Sequence, residues 1–304
     1  MSNEFVWCLG EAQSTSLVQF GHGHAVARGE AYQPGSIEVP GRRSGGPPKN
    51  VSKKGRRASS AKQTVTAEAV LRSFNTWAFK REQPADPQLM SRMISEAIAL
   101  AEPVSFILYW GKGPRCRIGE PDIACLDYLG AFAQRVGDVY GPGATIGLIF
   151  TDTHAALNGH APQEIQAYFT EVQAGAGERG FSTCWLSELT RSTQAAAAFS
   201  IDDQPVPQEM LQRLSTSAGK WYRGDGTAAD GARKYFRMNM IEKRAVEIAF
   251  PRSIFVTFNG SDLRCLFPDH LPIFYMYSLR RGVSVKPWFL PAPGTEDTER
   301  TDLP

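Results

Sequence analysis

Seven uncharged residues, ATIGLIF (144–150), form a β-branched apolar run that is cut off at once by Asp152, His154 and Asn158. A run with no polar alternation fits a strand buried on both faces, which is how strands lie in parallel sheets covered by helices. Two further runs repeat the arrangement. VSFILYW (104–110) passes straight into GKGPR (111–115), and FSTCWLSEL (181–189) ends in Ser187 and Glu188. The segments between them, PDIACLDYLGAFAQRVGDVYGPG and PQEIQAYFTEVQAGAGERG, carry helical spacing. Strand, helix, strand, helix, strand in that order predicts a right-handed, doubly wound parallel layer. The expected fold is α/β and Rossmann-like, its mostly parallel sheet joined to a helical and mixed C-terminal region.

The boundaries follow from composition. Residues 1–63 hold nine Lys/Arg against four Asp/Glu, including the run PPKNVSKKGRRASSAK, and large apolar residues almost vanish after Val51. Such a stretch cannot recover its ordering entropy by burial, so disorder is expected there and in the tail 291–304. The α/β core is expected over 64–190 and the helical and mixed region over 191–290. Ahead of the first strand, TVTAEAVLRSFNTWAFK and DPQLMSRMISEAIALAEP have helical spacing, with Asp86 as N-cap of the second. Later, VPQEMLQRLSTS and GARKYFRMNMIEKRAVEIAF read as helices, SIFVTFNG as a strand, and LPIFYMYSLRRG as a strand or strand pair.

Several classes are set aside. No apolar run reaches the roughly 18 residues of a membrane span, and the first residues lack a secretory pattern. The five cysteines are scattered, with no C-x-x-C pair, which favours reduced thiols in a cytoplasm. The basic run reads as a linker or an extended reading frame before it reads as a nucleic-acid or membrane-surface arm. Nucleic acid is not an expected partner, and small molecules are.

In open α/β sheets, ligands sit outside the carboxyl ends of the strands. Lys112 and Arg115, in a tightly turned Gly/Pro loop, are two cations suited to a phosphate or carboxylate. The loop lacks Walker spacing. Asp152 is a candidate for proton transfer or amine binding, or else a cap for nearby amides. His154 is a candidate proton shuttle, and Asn158 an orienting group for a substrate carbonyl or hydroxyl. His160 is expected at the surface. His154 has no histidine four residues away, so no protein-built metal site is expected. Glu188 is a candidate to pair with Lys112 or to bind a substrate amino group, or else an acid favoured at a helix N-terminus. Cys184 reads as a small core residue. Arg233, Arg237 and Arg244 recur at steps of four and seven on one helical face, where Arg237 and Arg244 are candidates to turn toward a phosphorylated ligand. Lys286, which closes the last predicted strand, is a further candidate for substrate binding.

The strand with its Lys-containing Gly/Pro loop, PD-x₃-LDYL, VYGPGATIGLIFTD, the next helix with its central Tyr, FPRSIFVTFNG and the closing KPWF together resemble the isocyanide (isonitrile) synthases related to the pyoverdine/paerucumarin and yeast dityrosine biosynthesis proteins. The resemblance spans roughly 74–289, and VYGPGA followed by a strand and Asp is its most specific piece. It implies conversion of the α-amino group of an L-amino acid such as tyrosine or tryptophan into an isonitrile, with the extra carbon drawn from ribulose 5-phosphate as co-substrate and no cofactor. Lys112 and Arg115 would then hold the phosphate or carboxylate, and Asp152 would move protons. An iron- and 2-oxoglutarate-dependent oxygenase acting on the product is the implied functional partner. The chain departs from the family pattern at Thr151-Asp152-Thr153 (Ser-Asp-Gly), at Thr257-Phe258-Asn259-Gly260 (a Ser-Ile-His-Pro-like sequence) and at Pro287-Trp288-Phe289 (Pro-Trp-His). A related transferase or lyase acting on another amine, and a binding protein without chemistry, stand as alternatives.

Overall fold

The computed structural model describes residues 65–113, 115–195 and 205–277, with the backbone of 279–280 and 283–284. The basic stretch 1–63, the tail 291–304 and Lys286 lie outside the described residues. The three apolar runs are strands β1 (Val104–Trp110), β2 (Ala144–Phe150) and β3 (Ser182–Trp185). With β4 (Ile254–Thr257) and β5 (Ile273–Tyr275) they form an all-parallel sheet in the order β3-β2-β1-β4-β5. Helices α1 (Ala67–Phe74) and α2 (Pro87–Leu100) precede it, and α3 (Glu120–Gly137) joins β1 to β2. Next, α4 (Asp152–Leu157) and α5 (Pro162–Gly177) lead to β3. The return to β4 runs through α6 (Leu186–Ser192), α7 (Gln208–Trp221) and α8 (Ala228–Ala249). The stretch read as a strand or strand pair divides between β5 and β6 (Leu279–Arg280), which pairs antiparallel with β7 (Val283–Ser284). The chain is a doubly wound α/β fold of the Rossmann type.

Strand alternation decides which helix covers which face. Phe106 meets Phe74 of α1 and Phe132 of α3 edge-on at 5.1 and 4.9 Å. Trp110 bonds Tyr168 of α5, and Phe150 stacks on Phe169 of the same helix. Side chains of opposite parity face α8: Tyr109 packs on Phe255 and near His154, which in turn meets Tyr235. Burial of such aromatics stabilises the sheet by about 1.5–3 kcal/mol each. α8 starts from a reciprocal cap in which Thr227 Oγ1 accepts from Asp230 N (3.2 Å) while Asp230 Oδ2 accepts from Thr227 N (2.9 Å).

Both sheet edges are protected. β3 has only four residues, and antiparallel bridges Lys80–Met276 and Ala85–Ile273 lay the α1–α2 connection along β5. Two local expectations are corrected. Asp86 does stand before α2, but it is left-handed (φ 55°) and its side chain makes no capping bond; Pro87, with its fixed φ and no N–H to satisfy, opens the helix. Cys184 is only partly buried, because β3 is an edge strand.

The chain winds outward from β1 to β3 and then restarts at β4 on the other side of β1. This reversal opens a crevice at the carboxyl ends of β1 and β4, the position where such sheets bind ligands. The segment after Trp110, with Lys112, leaves from that point.

Candidate functional site

Two polar clusters stand at the carboxyl edge, one on each side of the sheet. On the α3/α5 side the hub is Asp122, buried in the first turn of α3. Its carboxylate accepts from Arg115 Nη1 (3.1 Å), Gly119 N (2.7 Å) and the Tyr168 hydroxyl (2.7 Å). Tyr168 also accepts from Trp110 Nε1 at 3.2 Å, so strand and helix are tied through one phenol. Burial first, and Asp122 next, push Tyr168 well above the usual phenol range and keep it a donor.

Lys112 lies beside this hub but outside it. Its side chain is fully buried, its Nζ is 3.1 Å from His160 Nδ1 and 3.4 Å from the Gly113 carbonyl, and it sits 5.9 Å from the centre of the Tyr168 ring. Among the described residues no carboxylate comes within ion-pair distance of it. Burial lowers its pKa, partly offset by Cys116 and Glu164. His160, expected at the surface, is half-buried. Gly159, at φ +76°, makes the turn between α4 and α5 that brings it inward, and a Cβ there would stand 2.7 Å from Arg223. Burial first and Lys112 second lower the His160 pKa, with Glu164 Oε2 at 3.6 Å acting the other way.

On the α8 side the hub is Glu242, 1% exposed. It accepts from Thr153 Oγ1 (2.6 Å) and from His154 Nε2 (2.8 Å). A carboxylate only accepts, so Nε2 carries a hydrogen, and in the neutral ring the lone pair lies on Nδ1. The Tyr109 hydroxyl and the Asn239 Oδ1 are buried without a hydrogen-bond partner among the described residues. Burial and then Glu242 hold Tyr109 and Tyr235 far above the usual phenol range. The side holds a base with a defined lone pair and a phenol with an unspent hydrogen, the groups that a bound polar molecule would engage.

Asp152, at the start of α4, is half-buried, and its Oδ1 accepts from Ser187 N at 3.1 Å, so the start of α4 caps the first turn of α6. Burial raises its pKa most, and the Ser187 bonds pull it part of the way back. Cys184 nearby is pushed up to about 12, chiefly by burial.

Lys112, Asp152 and Glu188 thus follow the carboxyl ends of β1, β2 and β3, on one rim. The expected Glu188–Lys112 pair does not form. β2 lies between their strands, which separates them by about 9–10 Å, and Glu188 is exposed in the first turn of α6, where the helix dipole favours it. Arg115 is buried against Asp122, in the wall of the site. Asn158 is buried and ends α4. Arg237 is half-buried on a flank of α8. Arg244 is exposed and paired with Glu247 at 3.1 Å; two residues beyond Glu242, it points away from the side that carries His154. Asp122, Tyr168, Tyr109, Tyr235 and Glu242 were not among the expected site residues. A signal for them exists: Asp122 and Glu242 sit on the apolar stripes of their helices, 122-125-126-129 and 235-238-239-242, where a charge needs a partner.

Among the described residues no three His, Cys, Asp or Glu side chains are grouped to hold a metal ion, and no helix is long and apolar enough to cross a membrane. The described cysteines Cys116, Cys125, Cys184 and Cys265 are free.

Fold and rim together define a doubly wound α/β protein with a polar site at its topological switch. Among solved structures, the chain is similar to the PvcA protein from Pseudomonas aeruginosa, with TM-score 0.54 and 14% identity over 73% of this chain and 87% of that one. It is also similar to a tyrosyl-tRNA synthetase complexed with L-tyrosine from Archaeoglobus fulgidus, with TM-score 0.44 and 15% identity over 69% of this chain and 63% of that one. The first is a likeness of fold, and the second is too loose to carry an argument. No family model and no curated protein matches the chain.

Proposed function

We propose that this protein is an isonitrile synthase-like enzyme of secondary metabolism, joining the α-amino group of an aromatic L-amino acid to ribulose 5-phosphate. The observation that carries the reading is positional. VYGPGATIGLIFTD, the most specific piece of the resemblance, builds β2 and delivers Asp152 and His154 to the carboxyl edge. The fold likeness to PvcA agrees with the α/β architecture that the reading requires.

Condensing an amine with a ketone needs a base to free the amine and an acid to release water. His154, oriented by Glu242, is the base. Asp152, whose burial lets its carboxyl keep a proton to higher pH, is the acid. The Tyr109 hydroxyl donates to a substrate oxygen, and Lys112 meets the ketose. The family's late histidines are missing from the pattern here, and His154 and His160 supply imidazoles on the rim. An iron- and 2-oxoglutarate-dependent oxygenase is the proposed consumer of the product.

The test is incubation of the purified protein with L-tyrosine or L-tryptophan and ribulose 5-phosphate, followed by mass spectrometry for the isonitrile. Product formation is expected. Thermal stabilisation by both substrates without turnover would overturn the reading in favour of a binding protein.

A further inference from the structure

The GKGPR loop carries two cations with opposite fates. Arg115 is neutralised by Asp122, while Lys112 is fully buried against a neutral ring nitrogen and a carbonyl. An ammonium placed to grip a phosphate would normally stay wet and charged. Burial of an amine with no carboxylate at ion-pair distance among the described residues shifts it toward the neutral, nucleophilic form, an effect that Cys116 and Glu164 partly offset. The groups facing Lys112 are His160, Glu164 and Tyr168 from the α4–α5 segment and Cys116 from its own loop. His160 Nδ1, at 3.1 Å, is placed to accept a proton from Nζ, and Glu164 Oε2, 3.6 Å beyond and 43% exposed, leads that proton toward solvent.

We propose that Lys112 is the nucleophile that captures the ketose, forming a lysine-bound imine which the amino acid then displaces. The inference rests on the amine–ketose reading above and names the atom that first holds the carbonyl. The Nζ lone pair attacks the ketone carbon, and the C=O π pair moves to oxygen, which takes a proton. The carbinolamine loses water as C–O breaks and C=N forms. The amino acid's amine adds to the same carbon, and departure of the Lys112 amine leaves the amino-acid imine and restores the enzyme. No oxidant or reductant is consumed. His160 acts as the positioning and proton-accepting partner of Nζ.

The experiment uses the full chain with ribulose 5-phosphate alone, in the presence of borohydride, which adds hydride to an imine carbon and fixes the sugar to nitrogen. Peptide mapping should find Lys112 carrying the mass of the sugar phosphate less one oxygen, formed at least about tenfold faster than on any other lysine. K112R keeps a long basic side chain but has no nucleophilic amine. It should lose the adduct and nearly all turnover, while the ketose still raises its melting temperature. A protein that makes the isonitrile with no Lys112 adduct, or a K112R variant with substantial turnover, overturns the proposal and leaves the amine–ketose reading standing. Adduct at Lys112 without isonitrile leaves the proposal standing and removes that reading. Absence of both adduct and product overturns both.

Discussion

Asp122 and Glu242 are both buried carboxylates near the carboxyl edge, on opposite faces of the sheet, and they are satisfied in different ways. Asp122 is held by a guanidinium, a backbone amide and a phenol, three donors that stay donors at any physiological pH. Glu242 is held by a threonine hydroxyl and by an imidazole. A carboxylate saturated by permanent donors is a brace. One that shares its oxygens with a titratable ring fixes that ring and leaves its other nitrogen for chemistry. The α3/α5 side therefore has a rigid floor beneath Lys112, and the α8 side has an oriented base.

The largest effect should come from breaking the brace. Asp122→Ala removes the buried carboxylate that pairs with Arg115 and the acceptor that positions Tyr168, so a loss of about 3–5 kcal/mol in chemical denaturation is expected. A loss below about 1 kcal/mol would mean that the cluster is not structural and that the contrast with Glu242 is false.

Glu242→Gln should invert the balance between stability and rate. Glutamine keeps an acceptor for His154 but no charge, so a stability loss of about 1–2 kcal/mol is expected. Turnover should fall about 10²-fold or more, with KM little changed and the acidic limb of the pH–rate profile displaced. Glu242→Asp should recover part of the rate. Equal losses in turnover for Gln and Asp with an unmoved pH profile would reduce Glu242 to a second brace.

The contrast also explains what could be read from the chain. β1 and β2 were legible because a strand buried on two faces must be written as an unbroken apolar run, and VSFILYW and ATIGLIF are such runs, whereas β3 is an edge strand that is only partly buried. Lys112, Asp152 and His154 were legible because polar residues directly after such runs fall at strand ends. Glu242 left only the mark of a charge on an apolar helix stripe: it lies in MIEKRAVE among other charges, and its partner is 88 residues away. The fate of Arg115 was equally hidden, since GKGPR gives no hint that a first-turn aspartate of the next helix will neutralise one cation and leave the other. Local pattern sets where a side chain leaves the backbone. Long-range pairing sets its charge state.

Asp152 gives the smallest effect in stability and the sharpest test of whether the rim is built for chemistry. Burial holds its carboxyl above the ordinary aspartate range, so the folded state binds a proton more tightly than the unfolded chain. With more protons bound in the folded state, stability falls as pH rises from the ordinary aspartate value of 3.8 through the raised folded value, and it stays lower above that. Asp152→Asn keeps an oxygen for the Ser187 amide but has no charge to bury. At pH 7 it should melt at or above the wild-type temperature, by under about 1 kcal/mol, and the difference should vanish toward pH 3–4. Its turnover should drop because asparagine cannot take up and release a proton as a carboxyl does. Opposite movement of stability and rate is what a carboxyl retained for reaction produces, since a purely structural cap would lose both or neither. Equal or lower stability of Asp152→Asn at neutral pH, with full turnover, would make Asp152 only the cap of α6 and leave the acid of the reaction to be found on the α8 side, where the Tyr109 hydroxyl is the remaining donor.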